Sequence, residues 1–260
     1  MLFSSFLRPR LVAAIGLFAV AAAGHVAPAT AQGFQPAQKA EIERIVKDYL
    51  IANPEVLREA LGELDRRQKA EEAAARQKIL GDANSPLYAS AHQAVYGNPQ
   101  GKTTIVEFFD YNCGYCKRAV DDLARLVKEN PDLKVILKEF PVLGAPSVEA
   151  AKVASAARTQ LGARYWDYHV KLMSARGQIG KAQALAAAKD LGVDIARVEK
   201  EAEGADVHNG LNEAMMLADA LNLNGTPVYV MADDVIVGAV GYDALKGKLD
   251  NVKKCGKTKC

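Results

Sequence analysis

Apolar residues recur at helical spacing along residues 38–80, the first strongly patterned part of the chain. Asn53-Pro54 interrupts this pattern, because Asn caps a helix well and Pro is favoured in a first helical turn. Residues 65–78 are mostly charged residues and alanine, which is typical of a solvated helix. Two predicted helices carry the apolar stripe, which consists of Ile42, Ile45, Val46, Tyr49, Leu50, Val56, Leu57, Ala60, Leu61 and Leu64.

Two interpretations of this N-terminal helical segment, residues 32–84, are open. The helices fold back as a hairpin on the main domain, or they pair with copies from other subunits, since narrow stripes bury little by themselves. We favour self-association, because the segment precedes a domain whose elements look complete without it. The sequence therefore predicts a homo-oligomer.

Strands and helices alternate after a break at residues 81–86. A buried strand, a helix and a second strand form a βαβ crossover, and a long helical block, a hairpin and a last helix follow it. These elements are predicted at residues 103–110, 117–129, 135–140, 147–222, 228–231, 235–237 and 243–252. We expect an α/β domain at residues 85–260 that resembles the thioredoxin fold, with a helical insertion at about residues 145–222.

The start of the chain has the pattern of a secretory signal peptide. Arg8 and Arg10 precede an apolar run at residues 11–23, and Ala29-Thr30-Ala31 fits a cleavage site. That run would span about 20 Å as a helix, short of a ~30 Å hydrocarbon core, so a retained anchor is the weaker alternative. We expect residues 1–31 to be removed, leaving a soluble periplasmic protein with no membrane attachment.

Composition excludes little beyond nucleic-acid binding. The 260 residues are 50% hydrophobic and 25% charged, with a net charge of +2, which suits an ordinary globular protein. Because the positive charge is spread over the whole length, we expect no nucleic-acid partner.

Four cysteines form two local pairs, and the first pair carries the predicted chemistry. Cys113-Gly114-Tyr115-Cys116 lies where a buried strand ends and a helix begins. The free N–H groups of a helix start favour a thiolate and lower its pKa from ~8.5 toward roughly 3.5–7. We expect Cys113 to attack and Cys116 to resolve the mixed disulfide. The same spacing also occurs in zinc sites, which is the weaker interpretation here.

Four further residues are candidates for the same site. Glu107 lies within an apolar strand six residues before Cys113, where it is predicted to exchange a proton with Cys116 unless it reaches solvent at the strand end. Lys138 on the next strand is either the charge partner of Glu107 or a surface lysine. Thr226-Pro227 directly precedes a strand, which indicates a tight turn and a candidate cis bond.

The segment VEFFDYNCGYCKRA at residues 106–119, the later GTPVYV at residues 225–230 and the helical block between them resemble the DsbA-like thiol-disulfide oxidoreductases. The resemblance implies that Cys113 attacks, that Glu107 is a buried catalytic acid, and that a cis-proline loop at Thr226-Pro227 holds the substrate chain. Gly114 and Tyr115, between the cysteines, would also contact substrate.

Four details of the resemblance point to a less oxidising, isomerase-like subgroup, the ScsC-like (suppressor of copper sensitivity) proteins. Gly114-Tyr115 replaces the Pro-His of the strongly oxidising members, which implies a more reducing pair than the roughly −120 mV of the strong oxidant. Thr226 before the proline is similar to the isomerase side of the superfamily. The leading helical segment and KEFPVLG at residues 138–144 resemble the ScsC-like proteins, which implies a homotrimer.

The second pair, Cys255 and Cys260, lies at the end of the chain and departs from the family pattern. We expect a small structural disulfide there; a second redox pair or a soft-metal clamp is the alternative. A zinc site across both pairs is the weakest interpretation. His92, His169 and His208 lack metal-ligand spacing, and we expect no metal and no cofactor.

Three functions follow from these observations. The first is a disulfide isomerase or reductase acting on cysteine-containing exported proteins, kept reduced by a membrane electron donor of the DsbD type. The second is a DsbA-like oxidase, and the third is a Cu(I)-binding copper-tolerance protein that uses the same thiols. We favour the isomerase or reductase.

Overall fold

The structure is a computed structural model that describes residues 34–260. The predicted signal peptide at residues 1–31 lies outside the described residues. Two units are distinguished, one ending at Ala60 and one from Leu61 to Cys260, and each is described by itself.

Two helices open the described chain, as the apolar pattern predicts. Helix α1 is Pro36–Ala52 and helix α2 is Pro54–Gly81, so the break falls at Asn53. Helix α1 has no buried residue. Its apolar stripe is exposed to solvent by about half, with Ile45 at 53% and Tyr49 at 54% exposure.

The second unit is built on a five-stranded sheet in the order β1-β3-β2-β4-β5. The strands are β1 Ala94–Gly97, β2 Thr103–Phe109, β3 Leu133–Glu139, β4 Val228–Met231 and β5 Asp234–Val237. Strands β2 and β3 are parallel, joined by helix α3 (Gly114–Glu129), while β1, β4 and β5 are antiparallel to their neighbours. Sequence interpretation missed β1, since four residues at a sheet edge are too few to show an alternation.

The predicted helical insertion lies between β3 and β4. It consists of α4 Ala145–Leu161, a short 3₁₀ turn Gly162–Arg164, α5 Tyr165–Ser174, α6 Lys181–Asp190, α7 Ile195–Ala202 and α8 Ala205–Ala220. Helix α9, Tyr242–Cys255, ends the domain. This arrangement is a thioredoxin-like fold with an inserted helical domain, which confirms the predicted fold class.

Strand alternation on β2 divides the core into two clusters. Ile105 and Phe109 belong to the cluster that holds α3 and much of the insertion, whereas Val106 and Phe108 belong to the other. Leu80, near the end of α2, is buried in this second cluster. The last turn of α2 is therefore part of the core of the second unit. None of the helices described between residues 34 and 260 is both long and apolar enough to cross a bilayer.

Candidate active site

Cys113 is the N-cap residue of α3, where the turn after β2 delivers its sulfur to the open end of the helix. The backbone N–H of Cys116 donates to Cys113 Sγ at 3.2 Å. When Cys113 is protonated, its thiol donates to the carbonyl oxygen of Thr226 at 3.2 Å. Unpaired N–H groups at a helix start stabilise an anion, so the position favours a thiolate.

The two sulfurs of this pair are reduced and electrostatically unequal. Hydrogen bonds from the Cys116 thiol and from the backbone N–H groups of Cys116 and Tyr115 lower the pKa of Cys113 to about 6. Burial raises the pKa of Cys116, and the Cys113 hydrogen bond and the charge of Glu107 raise it further. Near neutral pH, Cys113 is therefore mostly thiolate, whereas Cys116 keeps its proton.

Glu107 lies on β2 with its side chain only 1% exposed, so the alternative of a solvent-exposed strand-end acid is wrong. The Oε2 atom of Glu107 has no hydrogen-bond partner among residues 34–260. In the sheet register, Glu107 lies opposite Tyr229 of β4. Burial raises the pKa of Glu107 to about 8, with a further contribution from the negative charge of Cys113. The carboxyl group is thus able to gain or lose a proton in the neutral range.

Lys138 is not the charge partner of Glu107, and it is not a surface lysine either. In the parallel register of β2 and β3, Lys138 pairs with Phe108, so strand alternation sends its side chain to the opposite face from Glu107. There its Nζ, 3% exposed at the side chain, donates to the carbonyl oxygen of Pro86 at 2.6 Å and contacts Glu213 at 3.3 Å. Both sequence interpretations of this lysine are therefore corrected.

The Thr226-Pro227 peptide bond is cis and places the Thr226 carbonyl beside Cys113, although the two residues are 113 positions apart. Between the cysteines, Gly114 and Tyr115 are exposed, and Tyr115 is 61% accessible. The guanidinium of Arg118 lies over the Tyr115 ring at 4.4 Å. The structure thus brings exposed Gly114 and Tyr115 and partly exposed Thr226 together around one sulfur, whereas Pro227 is buried.

Sequence interpretation missed a group of polar residues behind the nucleophile. Asp110 is buried at the end of β2 and accepts hydrogen bonds from Asn112 N, Ser147 Oγ and Leu143 N. Two sequence signals pointed to this group: Asp110 ends the apolar run FFD, and Asn112 directly precedes a cysteine at the end of a buried strand.

A second buried acid also went unpredicted. Glu139, at the end of β3, accepts a hydrogen bond from Tyr165 at 2.7 Å, and the Tyr165 hydroxyl lies 3.1 Å from that of Tyr111. Burial raises the pKa of Glu139 to about 8. Its signal was a lone acid beside apolar residues at a strand end, but only the tertiary structure supplies its tyrosine partners.

Cys255 and Cys260 are joined by a disulfide at the end of α9, on the surface of the domain. Thr258, inside the ring, is buried, and it donates to Asp233 through both its backbone N–H and its hydroxyl. This ring and the Cys113 pair are distinct sites in the fold.

Within residues 34–260, no group of three or more His, Cys, Asp or Glu side chains is placed to hold a metal ion. His169 is buried among aromatic rings, 4.6 Å from the Phe109 ring centroid, and burial lowers its pKa to about 3. It therefore packs as a neutral core residue.

Comparison with known proteins agrees with the geometry. A family model described as the DSBA-like thioredoxin domain matches residues 104–250, and one described as the Copper resistance protein ScsC N-terminal domain matches residues 38–71. A thioredoxin-like oxidoreductase from Silicibacter pomeroyi is 34% identical, with a TM-score of 0.61, over 69% of this chain and 98% of its own. A linker-deletion variant of Proteus mirabilis ScsC is 27% identical, with a TM-score of 0.63, over 86% of this chain and 99% of its own.

Much longer curated relatives also match. The Na(+)/H(+) antiporter NhaA 1 of Salinispora arenicola is 24% identical over 152 residues, which is 58% of this chain but 23% of the antiporter. The chain therefore spans about a quarter of the length of these curated relatives.

The fold and the sulfur pair at the start of α3 define a class, that of the thioredoxin-fold thiol–disulfide oxidoreductases. Within that class, the chain belongs to the DSBA-like thioredoxin family and carries a leading segment of the ScsC type.

Proposed function

We propose that this protein exchanges disulfides with cysteine-containing exported proteins in the periplasm, and that it acts as an isomerase or reductase. The observation that carries this proposal is the asymmetry of the sulfur pair: Cys113, at the helix start, has its pKa lowered to about 6, beside a protonated, buried Cys116. A thiolate is the nucleophile in exchange, so Cys113 can attack while Cys116 remains protonated.

The proposed reaction begins when the Cys113 thiolate attacks one sulfur of a substrate disulfide. The other substrate sulfur leaves as a thiolate, and a mixed disulfide forms between Cys113 and the substrate. In isomerisation, a substrate thiolate attacks elsewhere and finally releases Cys113, with no net transfer of electrons. In reduction, Cys116 attacks Cys113 Sγ, and the pair passes two electrons to the substrate as it becomes a disulfide.

Glu107 serves the second half of this reaction. The charge of the Cys113 thiolate helps to hold the pKa of Glu107 near 8, so the acid is mostly protonated in the resting enzyme. Formation of the mixed disulfide removes that charge and lowers the pKa of Glu107. The resulting carboxylate accepts the proton of Cys116 as Cys116 attacks. A membrane donor of the DsbD type then returns two electrons to the Cys113–Cys116 disulfide.

Two features support an isomerase or reductase over an oxidase. Gly114-Tyr115 places no imidazole between the cysteines, so the thiolate lacks the extra stabilisation that makes a disulfide strongly oxidising. The exposed stripe of α1 suits assembly, which would bring several sulfur pairs to one substrate.

Refolding of scrambled ribonuclease tests the proposal. We expect the reduced protein to restore ribonuclease activity catalytically, and we expect Cys113→Ala to abolish that activity. Cys116→Ala should accumulate mixed disulfides with substrate, visible on a non-reducing gel. Efficient oxidation of reduced ribonuclease with no repair of the scrambled form would instead identify an oxidase.

We also propose that residues 32–84 assemble the protein as a homotrimer. Ile42, Ile45, Val46 and Tyr49 share one exposed face of α1, and a partner copy would bury it. Because Leu80 is part of the domain core, the truncation that tests assembly should remove residues 32–60 only.

The truncated protein should be monomeric by light scattering, with weaker isomerase and stronger oxidase activity. Ile45→Asp should dissociate the full chain, whereas Ala40→Asp, which adds the same charge at an exposed position away from the stripe, should not. A monomeric full-length mature protein would disprove assembly.

A further inference from the structure

The side chain of Asn112, the residue before Cys113, makes three hydrogen bonds. Its Nδ2 donates to Ser147 Oγ and to the carbonyl oxygen of Ile179, both at 2.9 Å. Its Oδ1 accepts from the backbone N–H of Ile179 at 2.7 Å. Its own backbone N–H donates to Asp110 Oδ1 at 2.7 Å.

These bonds join three segments that are far apart in sequence. Asn112 belongs to the turn between β2 and α3, Ser147 to the first turn of α4, and Ile179 to the loop between α5 and α6. Ser147 closes the arrangement, because its hydroxyl also donates to Asp110 at 2.7 Å. The turn that carries the nucleophile is therefore fastened to the helical insertion at two points.

A separate bond fastens the other side of the cysteine pair to the same loop. Lys117, the residue after Cys116, donates through Nζ to the carbonyl oxygen of Ala175 at 2.7 Å. The segment from Ala175 to Ile179 is thus held by residues on both flanks of the Cys113–Cys116 motif. Asn112 is the residue of the turn that binds Ile179, whereas Asp110 binds Ser147 and Leu143.

We propose that Asn112 is a positioning residue that holds Cys113 Sγ against the Cys116 N–H, and so couples the helical insertion to the reactivity of the nucleophile. This inference rests on the proposed function, in which Cys113 is the attacking thiol. An amide suits the role because it donates and accepts at once; Ile179 needs both.

The consequence is a specific change in thiolate stability. Without the amide, the turn keeps the Asp110 bonds to Ser147 and Leu143 but loses its link to Ile179. The turn can then shift, and the N–H···S bond from Cys116 lengthens or loses alignment. Hydrogen bonds to the charged form lower a pKa, so their weakening raises the pKa of Cys113. Loss of a contact elsewhere on α3 should lower the stability of the fold without raising the pKa of Cys113.

The test measures the Cys113 pKa in the full mature chain, from thiolate absorbance at 240 nm and from the pH profile of iodoacetamide alkylation. Asn112→Ala should raise the pKa by about half a unit or more, which slows alkylation about threefold at pH 5 and leaves it unchanged at pH 9. Ser147→Ala removes one bond to Asn112 and should shift the pKa in the same direction by less.

Asn130→Ala is the matched control. Asn130 is the C-cap residue at the opposite end of α3, is buried, and donates to the Leu126 carbonyl at 2.7 Å, so its loss costs comparable polar contacts. It should lower the unfolding temperature and leave the Cys113 pKa at the wild-type value.

The outcomes separate this inference from the proposed function. A wild-type Cys113 that titrates like free cysteine would refute the proposed function itself. A low wild-type pKa that stays the same in Asn112→Ala, or in Ser147→Ala where Asn112→Ala does not fold, would overturn the role of Asn112 alone. An equal shift in Asn130→Ala would also overturn it.

Discussion

The two cysteine pairs of this protein lie at opposite kinds of helix end. Cys113 caps the N-terminus of α3, where unpaired N–H groups favour a negative charge, and its pair is reduced and buried. Cys255 is the last residue of α9, where unpaired carbonyl groups disfavour a thiolate, and it is tied to Cys260 at the surface. Position on a helix, more than the spacing of two cysteines, separates a reactive pair from a closed ring.

The acidic residues near the two cysteine pairs differ in burial and in the direction of their pKa shifts. Glu107 is buried without a partner for Oε2, and burial raises its pKa to about 8. Asp233 is exposed and accepts hydrogen bonds from Thr258, whose backbone N–H lowers the pKa of Asp233 most. Ionisation of Glu107 therefore destabilises the fold, whereas ionisation of Asp233 stabilises it.

The largest expected difference between the regions is in exchange activity. Cys113→Ala should reduce thiol–disulfide exchange to the uncatalysed rate, because no other described thiol is activated by a helix start. Cys255→Ala/Cys260→Ala should retain the wild-type rate in the same insulin-reduction assay. A comparable loss in the double variant would show that the ring takes part in electron transfer.

Glu107→Gln tests the cost of the buried acid. The folded-state pKa of about 8 exceeds the ordinary 4.5, so the folded protein loses stability as the pH rises from 4.5 to 8. The substitution should stabilise the reduced protein by on the order of 5 kcal/mol at pH 9 and change little at pH 4. Urea unfolding at both pH values measures this, and equal effects at the two would contradict an ionisation origin.

Slower resolution should accompany that gain in stability. Glu107→Gln should prolong the lifetime of the mixed disulfide, since Cys116 loses its proton acceptor. Wild-type decay of the mixed disulfide at every pH would remove the proton role of Glu107 while leaving its burial intact.

Opening the C-terminal ring should have a smaller effect on stability. The two cysteines are separated by 5 positions, so the disulfide constrains a short loop. Cys255→Ala/Cys260→Ala should lower the free energy of unfolding by about 2 kcal/mol on the chain-entropy model. Urea unfolding of the fully oxidised protein measures this difference. A double variant that does not fold would show that the ring stabilises more of the domain than its own loop.

Asp233→Asn is expected to have the smallest effect, opposite in sign to that of Glu107→Gln. The pKa of Asp233 is held below its ordinary 3.8, so its contribution is present above about pH 4 and is lost as the pH falls through the folded-state pKa. The substitution should lower the melting temperature by about 1–2 °C at pH 7 and have a smaller effect at pH 3. Equal shifts at both pH values would indicate a packing effect.

Much of this architecture was predictable because its signals are local. The run of apolar residues before Asp110, the helical periodicity after Cys116 and the Asn53-Pro54 break each depend on neighbours within a few positions. The short strand Ala94–Gly97 was missed because its pairing with β3, far along the chain, defines it.

The sequence by itself determined that a cysteine would cap a helix after a buried strand, since strand, turn and helix propensities act over short distances. Only the tertiary structure decided which distant groups meet: Lys138 turns to Glu213, Thr226 reaches Cys113, and Asn112 binds Ile179. Such contacts depend on sheet register and on the packing of the insertion, which no local pattern encodes.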